Sequence, residues 1–420
     1  MYLFFISKQA KNFTVEACSG MIAAYQKHVI AILAMLLVLT EQLPLKRTTD
    51  PEAYLDACAI IRLRGYACQE HSVVTRDGYI LTMQRLASTR DAGMNKTVEP
   101  VILQHGLLQS SVDWVINYPN QSLGFLLADS GYDVWLGNIR GNTYSKSHVS
   151  LSSRSKEYWS FTFDQMAEYD LPAMVEYVLQ VTNHSSLDYV GHSQGSLIGF
   201  ACFSEKPDWA RKRIRSFHAF APVAFLGHTK TVLTLLRPFF WMINWMLENF
   251  GYEFMPKASI VRWLGGMLCV GRTAFLCENI ILLIGGYDSE NMNSTRLPVY
   301  LGHNPAGTST LNIAHFGQLI ITDRMQKYDY GFRGNLKHYK QWFPPEYQPQ
   351  KNRVPTALYW GAKDILSDEV DVKRLIKISR HELGVYRYED TGHLDFMWGL
   401  NMAGSAYAQL IRVLSTLPTE

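Results

Sequence analysis

The sequence predicts an α/β protein, a mostly parallel sheet flanked by helices, interrupted by a long inserted segment that is mainly helical. Three observations predict it. From about residue 72 the chain alternates short apolar, β-rich runs with helical stretches. That rhythm stops after Ala221-Pro222 and resumes only near Val354. One run, Leu187 to Val190, leads into Gly191-His192-Ser193-Gln194-Gly195 and then into a helical stretch, a strand, tight turn and helix in series.

The elements follow in order. Val73 to Leu86 reads as a hairpin about Asp77-Gly78, a turn-forming pair. Val101 to Gln104, Asp133 to Leu136, Leu187 to Val190, Ser216 to Ala221 and Thr356 to Trp360 are short, apolar on both faces and closed by Gly, Pro or a polar residue, as strands covered on both sides must be. Val385 to Tyr388 is a further strand. Gln165 to Gln180 and Ser196 to Glu205 are helical. Residues 51–222 and 350–420 are thus expected to form the core, and 223–349 an inserted cap. Within 225–254 there are eight aromatics and only four charged residues, Lys230, Arg237, Glu248 and Glu253. Pro238 should break or kink any helix through it. The aromatics fit either the cap's own core or an apolar surface.

The first 50 residues are set apart as a leader. Residues 29–39 are uncharged and apolar, preceded by Lys27 and followed by Glu41. Eleven residues is too short to span a bilayer, which takes about 20. The run fits the apolar region of a secretory signal, although it starts late and no clean cleavage site follows. A buried helix, an uncleaved anchor and initiation at Met21 stay open.

The remaining composition mainly excludes. The chain has 420 residues, 40 Lys+Arg against 37 Asp+Glu, 47% hydrophobic and 18% charged residues, as folded globular proteins do. Basic residues are dispersed, with only Arg211-Lys212-Arg213 clustered and read as a solvated helix end, so no nucleic-acid partner is expected. No obligate protein partner is evident either. Six cysteines show no zinc spacing. Cys269 and Cys277 could close a short loop in an exported chain, and Cys58 and Cys68 likewise, while Cys202 reads as a core residue. Asn-x-Ser/Thr triplets begin at Asn12, Asn95, Asn120, Asn183 and Asn293; the last four are candidate N-glycosylation sites.

The Gly-x-Ser-x-Gly turn is so tight that side chains two before and two after Ser193 would meet neighbouring backbone, and it holds the hydroxyl at a helix amino terminus. Ser193 is therefore the candidate nucleophile. It needs a base, itself oriented by a carboxylate, and in this arrangement acid and histidine follow the serine in that order. Asp364 stands just past the Thr356 to Trp360 strand, and His393 on a Gly-containing loop after Val385 to Tyr388. Asp368 and Asp371 are rival acids read as caps of the following helix; Asp395 is a rival that comes after the histidine. The backbone amides of Leu107, after an early strand, and Gln194, after the nucleophile, are the expected oxyanion donors. His105 and His192 read as structural support of these turns. Ser-His-Asp acyl transfer calls for no metal or cofactor.

The residues resemble the acid lipases. The matching stretches are Val74 to Leu81, His105-Gly106-Leu107, Asp133 to Asn138 with Arg140 to Thr143, Gly191 to Gly195, His303 to Ser309, and Gly392 to Phe396. The resemblance spans about residues 50–415. It implies an α/β-hydrolase core, a helical cap with a mobile lid, and hydrolysis of water-insoluble esters, triacylglycerol or cholesteryl ester, at an oil-water or membrane interface. It also implies Ser193, Asp364 and His393 as triad, Leu107 and Gln194 as oxyanion donors, a Cys269–Cys277 cap disulfide, and a secreted or lysosomal location. The third cap cysteine common in mammalian members is absent. An esterase or acyltransferase on the same fold, or a catalytically silent lipid-binding relative, are the alternatives.

Overall fold

The computed structural model describes residues 50–87, 99–231, 234, 240–250, 252–254 and 291–418. All of the leader but Asp50, the Cys269–Cys277 pair, Asn12 and Asn95 lie outside them. The described residues belong to one compact unit.

Nine strands make one sheet. In chain order they are β1 (Ala67–Val74), β2 (Tyr79–Ala87), β3 (Pro100–Gln104), β4 (Asp133–Gly137), β5 (Ser147–His148), β6 (Leu187–His192), β7 (Ile214–Phe220), β8 (Thr356–Gly361) and β9 (Gly384–Tyr388). The spatial order is β1-β2-β4-β3-β6-β7-β8-β9, with β5 beside β2. From β4 to β9 every pairing is parallel. The β1-β2 hairpin pairs antiparallel, with Val74 opposite Ile80, so its turn falls at Asp77-Gly78 as expected. Every residue of β3, β4 and β6 is buried, which explains why these strands read as unbroken apolar runs.

Helices Leu171–Thr182 and Gln194–Glu205 pack on one face of the sheet, in a cluster with Trp135, Tyr189 and Phe217. Leu123–Asp129 and Ala408–Thr416 pack on the other, with Val134, Val190 and Tyr359. The expected helix at 165–180 contains a π turn at Met166–Asp170. There the Asp170 carboxylate takes the backbone N–H and guanidinium of Arg140, whose other face pairs with Asp77 at 2.6 Å. This buried ion cluster fastens the hairpin turn to the sheet. Arg211-Lys212-Arg213 ends the helix Pro207–Arg213, with Arg211 and Lys212 exposed, as expected.

Between residues 223 and 349 the described elements are mainly helices: Phe240–Phe250, Leu297–His303, Thr310–Thr322 and Gly331–Tyr339. The first begins two residues after Pro238. Glu253–Phe254 pairs antiparallel with Thr308–Ser309. Cys58 and Cys68 are disulfide-bonded, joining the helix Ala57–Leu63 to β1. Cys202 is buried, and burial pushes its thiol up to about 12. Asn120 and Asn183 are exposed, whereas Asn293 is half-buried, its side chain accepting from Thr295 N. Among the described residues no helix is long and apolar enough to cross a membrane.

Candidate active site

β6 ends at His192 and the helix Gln194–Glu205 starts immediately, leaving Ser193 alone at the corner with φ 53°. A non-glycine residue in that region is strained, and Ser193 is held there by its backbone N–H donating to Phe220 O at 2.9 Å. A Cβ on Gly191 would lie 2.6 Å from Gly195 C, and one on Gly195 only 2.4 Å from Gln104 O. Backbone stands in the way at both positions, so the two glycines of the motif are sterically required.

Asp364 sits on the loop after β8 and His393 on the loop after β9, two adjacent parallel strands. Lys363 N donates to Thr391 O at 3.1 Å, locking one loop to the other. His393 Nδ1 is then 2.8 Å from Asp364 Oδ2, and His393 Nε2 is 2.8 Å from Ser193 Oγ. Asp364 Oδ1 also accepts from Leu366 N at 2.9 Å and Ser367 N at 2.7 Å, which fixes the carboxylate's plane. All three side chains are buried. Nucleophile, base and orienting acid stand in a line.

The rival acids are elsewhere. Asp368 caps its helix through Val370 N at 2.9 Å, as expected. Asp371 does not act as a cap: its carboxylate accepts from His228 N at 2.9 Å and faces His228 Nδ1 at 2.8 Å. The physical reason is that Asp368 already occupies the helix start, leaving Asp371 in the first turn facing residue 228. Asp395 accepts from Gly392 N at 2.6 Å.

Leu107 follows β3, and Gln194 is the first residue of its helix, where a backbone N–H has no intrahelical acceptor. The loop carrying Leu107 is held on three sides. Gly106 N donates to Gln109 Oε1 at 2.9 Å, Ala306 N donates to Leu108 O at 2.6 Å, and His105 Nδ1 lies 2.8 Å from Gly106 O. Gln194's side chain is packed, accepting from Asn312 Nδ2 at 2.7 Å. His192 lies between Gln109 Oε1 at 2.9 Å and His393 O at 3.1 Å. Burial, then the neighbouring His393, holds its ring well below the usual histidine range; burial likewise pushes His105 down to about 4. Both rings are neutral supports. Such an arrangement can bind an ester carbonyl, add an alkoxide to it and hold the resulting oxyanion.

Residues 99–400 match the alpha/beta hydrolase fold family, and residues 58–118 match the partial alpha/beta-hydrolase lipase region. The chain is 41% identical over 377 residues to gastric triacylglycerol lipase of Homo sapiens, covering 87% of this chain and 92% of that one. It is 39% identical over 370 residues to lysosomal acid lipase/cholesteryl ester hydrolase of Homo sapiens, covering 87% and 92%. The chain belongs to the acid lipase family. Lipase lipl-1 of Caenorhabditis elegans is a further family relative, 40% identical, with 87% and 92% covered. A solved membrane phospholipase A superposes with a TM-score of 0.50 at 16% identity, covering 93% of this chain and 100% of that one, which shows the α/β-hydrolase fold alone.

Three groups in this acid lipase family member escaped sequence reasoning. Gln109 bridges the Leu107 loop and His192 across 83 residues. Asn304 Nδ2 and Trp398 Nε1 both donate to the buried Asp113 Oδ1, at 2.9 Å each. Asn312 reaches the side chain of Gln194. The His303 to Ser309 stretch was visible as a motif, but its role as a prop under Leu108 was not.

Proposed function

We propose that the protein is a lipase, a serine carboxylic ester hydrolase acting on water-insoluble lipid esters, triacylglycerol or cholesteryl ester. The observation that carries the proposal is the line Asp364, His393, Ser193 at 2.8 Å per contact. His393 Nε2 takes the Oγ proton as Oγ bonds to the ester carbonyl carbon. The carbonyl oxygen becomes an oxyanion held by the amides of Leu107 and Gln194. Imidazolium His393, paired with Asp364, then protonates the departing alcohol as the C–O bond breaks, leaving an acyl-Ser193. Water, giving its proton to His393, attacks that acyl group, and as the adduct collapses His393 returns the proton to Ser193 Oγ and the fatty acid is released. Each step uses only protein groups and water.

The relatives, a gastric triacylglycerol lipase and a lysosomal acid lipase/cholesteryl ester hydrolase, support insoluble esters as substrates and an extracellular or lysosomal lumen; the Cys58–Cys68 disulfide supports an oxidising compartment. Exposure of Asn120 and Asn183 agrees with glycosylation there. Residues 223–349 act as a cap whose lid opens at a lipid interface. Met242, Trp245 and Met246 support this, since they are exposed at i, i+3, i+4 spacing along one helix.

The test compares emulsified long-chain triacylglycerol, cholesteryl ester and a short soluble ester from acid to neutral pH, using wild type and Ser193→Ala. Hydrolysis of the insoluble esters should rise steeply once substrate exceeds its solubility. It should fall by about 10⁶-fold in Ser193→Ala with folding intact. Preference for the soluble ester, or acyl transfer to an alcohol over water, would replace lipase by esterase or acyltransferase.

A further inference from the structure

The helix Gly331–Tyr339 and the turn after it carry large apolar side chains that the fold leaves uncovered. Phe332 is 61% exposed, Trp342 59%, Phe343 68% and Leu336 37%. The Phe332 ring stands 6.1 Å from Trp342 and 6.0 Å from Phe343, so three aromatics share one surface. The core's own large aromatics, by contrast, are enclosed: Trp114, Trp135 and Trp159 are almost fully buried. An apolar cluster left outside such a core marks a contact surface.

The same stretch is basic. Arg333, Lys337 and Lys340 are exposed, and none has a carboxylate within ion-pairing distance among the described residues. No Asp or Glu occurs from residue 330 to 345. The two flanking acids are occupied: Asp329 Oδ1 accepts from Gly331 N at 2.8 Å and Asn335 Nδ2 at 2.7 Å, and Glu346 pairs with Arg324 at 2.9 Å. Aromatics beside uncompensated cations, on one short amphipathic element, match the headgroup region of an anionic bilayer, where rings enter the interface and cations meet lipid phosphates and carboxylates.

We propose that this face docks the protein onto anionic phospholipid membranes. It is built from other residues than the ester site and acts whichever ester that site takes. Charge complementarity selects a membrane over a neutral oil droplet, which offers no anions to three cations. Each cation contributes about fivefold to partitioning at low salt, and the aromatic pair at the turn about tenfold or more.

The full chain carrying Ser193→Ala, which leaves the lipid intact, is floated with phosphatidylcholine vesicles with and without phosphatidylserine. Wild-type surface should partition onto the anionic vesicles, weakly onto neutral ones, and less as salt rises. Trp342→Ser with Phe343→Ser, and separately Arg333→Gln with Lys337→Gln and Lys340→Gln, should each lose most of that partitioning. With Ser193 restored, both variants should retain turnover of a short soluble ester, which certifies folding; if one does not, the other decides. Equal partitioning onto neutral and anionic vesicles, unchanged partitioning of a folded variant, or a dimer that the Trp342 and Phe343 changes dissociate would overturn the proposal. Flotation without long-chain ester hydrolysis would sink the lipase reading and leave this face standing; hydrolysis without flotation would do the reverse.

Discussion

Replacing Asp364 by Asn should cost about 10⁴-fold in kcat/KM while leaving the protein folded, and the hydrogen bonds around the carboxylate say why. Oδ1 receives two backbone N–H groups, from Leu366 and Ser367. In Asp364→Asn the amide oxygen must stay there, because an NH2 group in its place would face two donors. The amide NH2 is then forced into the Oδ2 position, 2.8 Å from His393 Nδ1. That nitrogen can meet it only with a lone pair, so the ring's single proton moves to Nε2, 2.8 Å from Ser193 Oγ. A ring that donates to Oγ cannot accept its proton. The loss corresponds to about 5.5 kcal/mol of transition-state stabilisation at about 1.4 kcal/mol per decade. KM should change little, since Asp364 lies behind the imidazole. Initial rates on a soluble ester and on emulsified triacylglycerol, with a thermal melt as control, check this. A folded Asp364→Asn enzyme within tenfold of wild type would refute the tautomer argument and remove Asp364 from its role.

Gln109→Ala leaves the buried Gly106 N–H without an acceptor, a penalty of about 1–3 kcal/mol in stability, and loosens the loop that carries Leu107. It should lower kcat about tenfold with KM nearly unchanged; a pure KM effect would show that Gln109 meets substrate instead. Replacing Cys58 and Cys68 together by Ser opens a loop with a sequence separation of 10 and should cost about 3 kcal/mol in urea unfolding. A loss below about 1 kcal/mol would mean that the disulfide adds little. The Asp371 carboxylate raises the pKa of His228 above its ordinary 6.5, through a hydrogen bond first, with Asp323 and Asp368 adding to it. The stability this contributes is present below 6.5 and is lost as pH rises through the raised value. The melting-temperature gap between wild type and His228→Gln should therefore shrink from acid to neutral pH, modestly because the imidazole is solvated. A gap independent of pH would show that the contact is uncharged.

Local chemistry made the reactive groups legible. Ser193 is marked by a turn whose glycines answer to clashes within a few residues of sequence, and Asp364 and His393 by their places just past strand ends. Strands buried on both faces were equally plain. β1 was not: Ala67 to Ser72 is largely polar, since an edge strand needs only one apolar face, and only its last residues were readable. Asp371 looked like a cap because helix starts favour acids, while its actual partner, His228, lies 143 residues away. The same holds for Gln109 with His192 and for Asn312 with Gln194. Polar contacts of that range depend on the finished topology, and no local propensity announces them.

The bond from Asn312 Nδ2 to the Gln194 side-chain oxygen joins two things that the chain keeps apart, the first turn of the helix Thr310–Thr322 and the residue that follows Ser193. Energetic linkage through such a contact runs both ways with equal magnitude. An adduct on Ser193 that favours the Gln194 conformation this contact needs also favours the docked helix, and the docked helix favours the adduct by the same coupling free energy. Adduct stability and the docking of the helix Thr310–Thr322 are thereby coupled, whichever of the two is perturbed.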